Sequence, residues 1–358
     1  MRRRAGAVVL VCLLAATALV SPAPVAGFGT IEGGGQHREH EHITRAALAC
    51  PGRDCFEPGT LGRLAGDGRG FGAVGSPDLT EVNVPAAHCD DADFLAGGYP
   101  RTRGQATAAV TACVEHLRGR FRAAVRDAAG LLDEYGRILP EEVFLDGGCM
   151  LAEQGERRAK CTALEEFGRA LHGVQDFYAH SSWADEADPA RPIGPDNPPG
   201  LNLPAPSPVL DLRGTGAPGV PPDLATGCFV LHDAVPGVGV CERRITHAAL
   251  NKDNGLIDAA TGEATEAGTP RGRVGTNFAK AVTGAVVESR HQWRELRDAL
   301  RDEYGERRAS VMVCALTHDD PLSDCGGASD RTMIASFVMF ALFLAVIGLS
   351  SWRRRQVG

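Results

Sequence analysis

Three long stretches of this chain repeat apolar residues every three or four positions, the spacing of one face of an α-helix. They are residues 105–138, 162–183 and 276–303. In the first, Val110, Val114 and Leu117 show the pattern clearly. A shorter stretch, residues 38–49, also reads as a helix, and segments that alternate apolar and polar residues are nearly absent. The sequence therefore predicts an all-α fold in which helices are joined by long irregular loops.

The sequence between the two ends predicts one domain that is interrupted by a long irregular segment. Hydrophobic residues make up 44% and charged residues 23%, which is ordinary for a globular protein and excludes a disordered chain or a collagen. Residues 187–227 contain 11 of the 22 prolines and show no periodicity, so we expect a Pro/Gly-rich insertion there. We predict a helical metal-binding domain over 28–310, and a disulfide-containing stalk over 311–331.

Both ends of the chain carry membrane signals. Residues 1–27 combine three arginines, an apolar core and a small-residue stretch, which predicts a secretory signal peptide cleaved before Phe28. Residues 332–352 contain no charge and are long enough to cross a bilayer as a helix. The basic tail, 353–358, predicts a cytoplasmic end. The expected location is the cell membrane, crossed once, with the domain outside the cell.

Ten cysteines lie outside the predicted signal peptide. An even number in an exported chain indicates disulfides rather than free thiols. Neighbours along the chain suggest the pairs Cys50–Cys55, Cys89–Cys113, Cys149–Cys161, Cys228–Cys241 and Cys314–Cys325. Spacing does not fix this connectivity. Thiolate metal ligation is the alternative, and the absence of any C-x-x-C motif weakens it.

The net charge of residues 28–331 limits the classes of molecule that this part of the chain can bind. Residues 28–331 carry 31 basic and 45 acidic side chains, a formal charge of −14. Such a surface repels phosphate backbones, so no specific nucleic-acid binding is expected.

The segment 164–183 places His172, Asp176 and His180 four residues apart. On a helix these side chains form one slightly drifting stripe, with about 6 Å of rise between consecutive members. Two metal ions bridged by the central carboxylate would suit this spacing. The alternative is a polar stripe of hydrogen-bonded histidines without metal.

Three further polar segments could join that stripe. In residues 37–44, His42 is expected to face inward with Ala46, while His37 and His40 are expected on the surface. Residues 76–94 offer Asp78, His88 and the acidic cluster Asp90, Asp91 and Asp93, part of which should face solvent. Residues 245–253 offer His247 and Asp253. Imidazole and carboxylate are the usual ligands of catalytic zinc, so zinc is the expected cofactor.

These motifs resemble a known group. Residues 168–183 are similar to the signature of the Het-C-related proteins, which belong with zinc-dependent phospholipases C and S1/P1-type nucleases. Residues 42–44, 85–91 and 246–253 resemble the other blocks of that group in the same order. The narrowest resemblance is to the CinY-type secreted proteins of actinobacteria. The resemblance to the whole group covers roughly residues 36–300. It implies a phospholipase C/P1 nuclease-like helical bundle with up to three zinc ions.

The resemblance also implies roles for individual residues. His42 would be the N-terminal ligand, Asp78 and His88 would join His172 at one zinc, and Asp176 would bridge to another. His180 and His247 would hold the third, with Asp253 as the nearby carboxylate, and Asp78 would be the general base. Three positions depart from the family. Asn251 replaces a ligating Glu, and Asn277 replaces a His. The phospholipases also use the amine of an N-terminal Trp as a ligand, whereas here nothing in the sequence fixes the mature N-terminus, and Phe28 lies 14 residues before His42.

Three hypotheses follow. The first is a cell-surface zinc-dependent hydrolase of phosphodiester bonds, acting on a phospholipid or another phosphodiester. The second is a catalytically silent, metal-stabilised surface protein in adhesion or cell-envelope interaction. The third is a disulfide-held helical domain whose histidines are incidental. Two or three bound zinc ions would favour either of the first two.

Overall fold

The computed structural model describes residues 28–51, 55–146, 149, 158–229 and 240–325. The predicted signal peptide, transmembrane helix and basic tail lie outside these ranges. Within them, no helix combines the length and apolar character needed to span a bilayer.

The protein is mostly helical, with about 48% of its residues in helices. The helices are α1 (Glu39–Leu48), α2 (Pro58–Ala65), α3 (Pro77–Thr80), α4 (Arg103–Ala128), α5 (Ala159–His180), α6 (His247–Leu250), α7 (Asn277–Tyr304), α8 (Glu306–Thr317) and α9 (Pro321–Asp324). The described strands form two antiparallel hairpins, β1 (Glu32–Gly33) with β2 (Gln36–His37) and β3 (Gly255–Ile257) with β4 (Ala264–Ala267). The prediction of a mostly helical fold is confirmed.

Helix α5 lies at the centre of the molecule, between α4 and α7. Leu171, Val174 and Tyr178 of α5 are completely buried. Leu117 of α4 and Val282 of α7 are completely buried in the same core. Each such side chain contributes roughly 1.5–3 kcal/mol by leaving water. Because α5 is covered on several sides, any polar group on it must find a partner inside the protein.

The helix ends agree with the sequence pattern except in α4. A capping box, in which Thr102 and Gln105 bond each other's backbone amides, starts this helix. It ends at Ala128, ten residues before the predicted end. A 3₁₀ turn over Ala129–Leu131 follows, and then a tight turn around Gly136, whose φ of 80° suits glycine. The apolar spacing in the sequence continues beyond Ala128 because the 3₁₀ turn also packs against the core.

The residues predicted as a stalk pack against the body as far as the structure describes them. Residues 311–325 form most of α8 and all of α9, and Met312 and Thr317 are completely buried. Asp319 accepts hydrogen bonds from the amides of Gly59 at 2.9 Å and Thr60 at 2.6 Å, capping α2. Lys160 of α5 donates to the carbonyl of His318 at 2.5 Å. The packed body thus extends at least to residue 325.

The Pro-rich insertion 187–227 is irregular, as predicted, apart from a 3₁₀ turn at Pro208–Leu210. Buried polar side chains of the helices hold it in place. Arg118 of α4 donates to the carbonyls of Asp211 at 2.8 Å and Gly216 at 2.7 Å. Gln292 of α7 donates to the carbonyl of Leu210 at 2.9 Å. These bonds satisfy backbone groups that have no partner within the segment.

All five predicted disulfides are present: Cys50–Cys55, Cys89–Cys113, Cys149–Cys161, Cys228–Cys241 and Cys314–Cys325. Each joins cysteines that are neighbours in the chain, so local spacing was a sufficient guide.

Candidate metal centre

The carboxylate of Asp176, completely buried on α5, lies among four imidazoles. Its Oδ2 is 2.9 Å from His88 Nδ1 and 3.0 Å from His172 Nε2. Its Oδ1 is 3.2 Å from His40 Nε2 and 3.8 Å from His180 Nε2. The two oxygens of one side chain therefore face two different groups of nitrogen atoms.

The first group also includes Asp78. Its Oδ1 is 3.7 Å from His172 Nε2 and 3.9 Å from His88 Nδ1, and those two nitrogens are 2.9 Å apart. Ligands of a tetrahedral zinc ion, with zinc–nitrogen distances of about 2.0–2.1 Å, lie roughly 3.3 Å from one another. The observed separations bracket that value, so these atoms fit one ion.

Two local features place the first group. The absence of a side chain at Gly173 lets the 3₁₀ turn Pro85–Ala87 lie directly on α5, since an added Cβ would come within 2.5 Å of the Ala87 carbonyl oxygen. His88 follows that turn and so reaches Asp176. On α5 itself, His172 Nδ1 is 2.8 Å from the carbonyl oxygen of Val74. That bond fixes a tautomer in which Nε2 is free to bind a metal.

A second group forms where α5 ends. His180 Nε2 is 3.1 Å from Asp253 Oδ1, and His247 Nε2 is 3.5 Å from Asp253 Oδ2. Asp90 approaches the other ring nitrogen of His180, with Oδ1 3.2 Å from Nδ1. All four side chains are buried. Asn251 Oδ1 accepts a 2.8 Å bond from the amide of Asp253 and so supports the backbone of Asp253.

The N-terminal contribution differs from the sequence-based expectation. His40, expected on the surface, is 1% exposed and contacts Asp176. His42, expected to face inward, is half-buried on the other side of α1, where its nearest charged groups are Glu41, Arg38 and Glu32. His40 Nδ1 is 2.7 Å from Gln175 Oε1, which leaves Nε2 directed at the carboxylate.

Phe28, the first described residue, also reaches this centre. Its backbone nitrogen donates to Asp176 Oδ1 at 3.3 Å, and its ring packs edge-on against His40 at 5.9 Å. Its side chain is completely buried. The residue that the sequence places after the signal peptide therefore lies beside the candidate ligands.

The centre contains more buried polar atoms than the protein satisfies. Without a hydrogen-bond partner are His40 Nε2, Asp78 Oδ1, Asp90 Oδ1, His180 Nε2, His247 Nδ1 and both carboxylate oxygens of Asp253. An unsatisfied buried group costs about 1–3 kcal/mol. Several such groups pointing into one region indicate a missing cation, and three histidine–aspartate groups here could each hold a metal ion.

Electrostatics agrees with that interpretation. Burial would raise the pKa of Asp176, but the surrounding His172, His180 and His40 lower it well below its usual range. Burial lowers the pKa of His88, and contacts with Asp176 and Asp78 outweigh it, raising the pKa to about 9. In the metal-free chain, protons on histidine thus occupy the place of cations.

His180 and His40 behave like His88. Burial opposes their charge, yet Asp253 and Asp176 raise the pKa of His180 well above its ordinary value, and Asp176 raises that of His40. Burial lowers the pKa of His172 and His247, which keeps them neutral and able to bind metal.

A buried ion triad supports the second group. Lys252 Nζ donates to the carbonyls of Ser181 at 2.9 Å and Leu250 at 2.7 Å, and to Asp185 Oδ2 at 3.0 Å. Arg271 donates to both oxygens of Asp185, at 2.7 and 3.0 Å. Lys252 therefore ties the residue after His180 to the loop that carries Asp253.

Sequence reasoning missed His40 and Asp90. In the acidic cluster, Asp93 and Asp91 pair with Arg244, at 2.6 and 3.2 Å, whereas Asp90 turns to His180. Asp91 is partly exposed, as expected for part of the cluster. The sequence indicated that one histidine of 37–42 would point inward, but it assigned His42 rather than His40 to that side.

A cavity of about 800 Å³ is lined by Phe71, Leu79 and Leu164 among others. It adjoins α3 through Leu79, but no candidate ligand lines it.

Comparison of the chain with family models, curated proteins and solved structures finds no match.

Proposed function

We propose that the chain is a cell-surface zinc-dependent hydrolase of phosphodiester bonds. The observation that carries the proposal is the Asp176 carboxylate, which faces nitrogen atoms of four histidines, His40, His88, His172 and His180. Oxygen atoms of other buried carboxylates nearby have no hydrogen-bond partner. The family resemblance in residues 168–183 suggests the reaction class, and the apolar segment 332–352 suggests the location.

The residues present fit zinc. Nitrogen and carboxylate ligands dominate, and the disulfides remove the described cysteines as competing thiolate ligands. Four buried or nearly buried carboxylates, Asp78, Asp90, Asp176 and Asp253, carry four negative charges, which two divalent cations would balance. Two ions would thus balance the carboxylates, and the Phe28–His40 side of Asp176 offers a place for a third.

Bound zinc would lower the pKa of water to about 7 and stabilise negative charge on a phosphate ester. The chain's own residues would do the rest. His88 and His172 hold one side of the centre through their fixed ring positions. Asp78 Oδ2 accepts from the hydroxyl of Thr30, so its Oδ1, which has no partner, would be the atom that contacts the ion and that could take up a proton. At 7% exposure, Asp78 is the most accessible of the candidate ligands that form ion pairs here.

The second candidate is a metal-stabilised surface protein without activity. Its supporting observation is burial, because Asp176, His172 and His180 have no exposed surface. Structural metal sites are closed, whereas catalytic sites keep one position open.

Metal analysis and hydrolysis assays on the purified chain separate these candidates. We expect at least two zinc ions per chain, and hydrolysis of a chromogenic phosphodiester or of phosphatidylcholine vesicles. The Asp176→Asn and Asp78→Asn variants should lose hydrolysis, while Asp188→Asn, at a partly exposed aspartate of the insertion, should keep it. Zinc without hydrolysis would favour the silent protein, and less than one zinc per chain would refute both.

A further inference from the structure

Gln175 lies next to Asp176 on α5, and its amide forms hydrogen bonds at both ends inside the protein. Its Oε1 is 2.7 Å from His40 Nδ1. Its Nε2 donates to the hydroxyl oxygens of Thr44 at 2.9 Å and Ser289 at 3.1 Å. These four hydrogen-bonded side chains are at most 1% exposed. Gln175 therefore connects α1, α5 and α7 beside the candidate metal centre.

These contacts decide which end of the Gln175 amide faces His40. An amide nitrogen carries two hydrogens, whereas an amide oxygen only accepts. The nitrogen of Gln175 uses both hydrogens on the hydroxyl oxygens of α1 and α7, so the oxygen is left to accept a hydrogen bond. His40 Nδ1 is therefore the donor, and the bond keeps a proton on Nδ1.

A histidine whose proton is held on Nδ1 can offer the lone pair of Nε2 to a metal ion. His40 Nε2 is 3.2 Å from Asp176 Oδ1 and has no hydrogen-bond partner in the protein. The His40 ring stacks on that of His172, with centroids 4.3 Å apart, and packs edge-on against Phe28. The bond to Gln175 and these two rings together hold one orientation, in which Nε2 faces Asp176.

The geometry separates Gln175 from the ligands themselves. Gln175 bonds Nδ1 of His40, whereas the ion would be bound by the other ring nitrogen, Nε2. Both ends of its amide are already engaged with protein atoms. A neutral amide is also not among the usual protein ligands of zinc, which are thiolate, imidazole and carboxylate.

We propose that Gln175 is a positioning residue for a zinc ion held between His40 Nε2 and Asp176 Oδ1. It fixes the tautomer and the ring orientation of His40 and does not bind the ion itself. This inference rests on the proposed zinc centre, and it assigns one ion to the His40 side of Asp176. Loss of such an outer acceptor typically lowers metal affinity 10–100-fold.

The test is the zinc affinity of the full chain, measured by competition with a chromogenic chelator. Gln175→Met removes the acceptor with little change in shape, and one ion should then bind about 10–100-fold more weakly. Gln175→Glu keeps an oxygen for His40 Nδ1, and the hydroxyls of Thr44 and Ser289 can rotate to donate to its second oxygen. This variant should therefore bind zinc nearly as tightly as the unmodified chain.

Gln292→Met is the matched control. Gln292 of α7 is 1% exposed, and its Nε2 donates to the carbonyl of Leu210 and to Glu288 Oε1, both at 2.9 Å. Its amide is thus as buried as that of Gln175 and also donates two hydrogen bonds, but neither acceptor is a candidate ligand. Its replacement should leave zinc affinity unchanged.

Unchanged zinc affinity in Gln175→Met would overturn the positioning role. Equal weakening in Gln175→Met and Gln175→Glu, or in Gln175→Met and Gln292→Met, would also overturn it, because loosening of the core would then explain the loss. A second measurement needs no substitution of Gln175. Nitrogen NMR of the zinc-loaded chain with isotope-labelled histidine should show His40 protonated at Nδ1, and protonation at Nε2 would refute the inference.

The same experiments distinguish this inference from the proposed function. Zinc binding without hydrolysis would refute the hydrolase, while the affinities of the Gln175 variants would still decide the positioning role. Absence of zinc from the unmodified chain would refute the proposed function, and this inference with it.

Discussion

Replacing Asp176 with Asn removes one negative charge and one anionic oxygen from the point where four imidazoles meet. An ion present at a thousand times its dissociation constant stabilises the fold by about 4.1 kcal/mol. If the substitution weakens that ion a hundredfold, about 1.4 kcal/mol remains. The stabilisation by zinc should therefore fall by roughly 2.7 kcal/mol for each ion that Asp176 contacts.

For a body of this size, 1 kcal/mol corresponds to about 2 °C in the midpoint of thermal unfolding. The zinc-induced rise in that midpoint should be smaller in Asp176→Asn by at least about 5 °C. The measurement is calorimetry of each protein with buffered zinc and with chelator, so that effects on the metal-free fold cancel. Asp188→Asn serves as the control. An equal zinc-induced rise in both variants would show that Asp176 does not hold the ions.

Three other perturbations have defined outcomes. Lys252→Met leaves Asp185 paired with Arg271 but removes a buried donor from three acceptors, so it should lower the unfolding free energy in urea by about 1–3 kcal/mol. Lys280→Met, at an exposed pair with Glu186, should cost less than about 1 kcal/mol. Equal losses would contradict the argument. Burial lowers the pKa of Lys160 to about 8, although Asp319 opposes this. The unfolded chain keeps the proton of Lys160 up to about pH 10.5, whereas the folded chain loses it near pH 8. The free energy of unfolding should therefore rise from pH 8 upward, by at most roughly 3 kcal/mol in total. Lys160→Met should abolish this rise. The double variant Cys89→Ser with Cys113→Ser should weaken zinc binding, because Cys89 separates His88 from Asp90, while Cys314→Ser with Cys325→Ser should leave zinc affinity unchanged in the same chelator titration.

The sequence predicted well those features that depend on periodicity. The four-residue spacing of His172, Asp176 and His180 indicated one stripe on α5, and in the structure Asp176 contacts both histidines. The helix ends of α5 and α7 were also close to their predicted positions. Helical geometry is local, so the phase of a side chain within a long helix follows from counting residues.

The loops and short helices could not be predicted in this way. Helix α1 begins at Glu39, after a left-handed Arg38, and this start decides that His40 rather than His42 faces Asp176. Both histidines had apolar residues three or four positions ahead, so the pattern allowed either. Asp90 was hidden among chemically identical neighbours, and the backbone reversal at Cys89, which singles it out, has no signature in residue type.

The cap of α2 has a consequence for how the molecule is made. Gly59 and Thr60 receive their acceptor from Asp319, 260 and 259 positions further along the chain. During synthesis this helix start stays open until almost the whole described body has emerged, although every proposed zinc ligand has been made by residue 253. A nascent chain could thus bind its zinc ions before Asp319 caps α2.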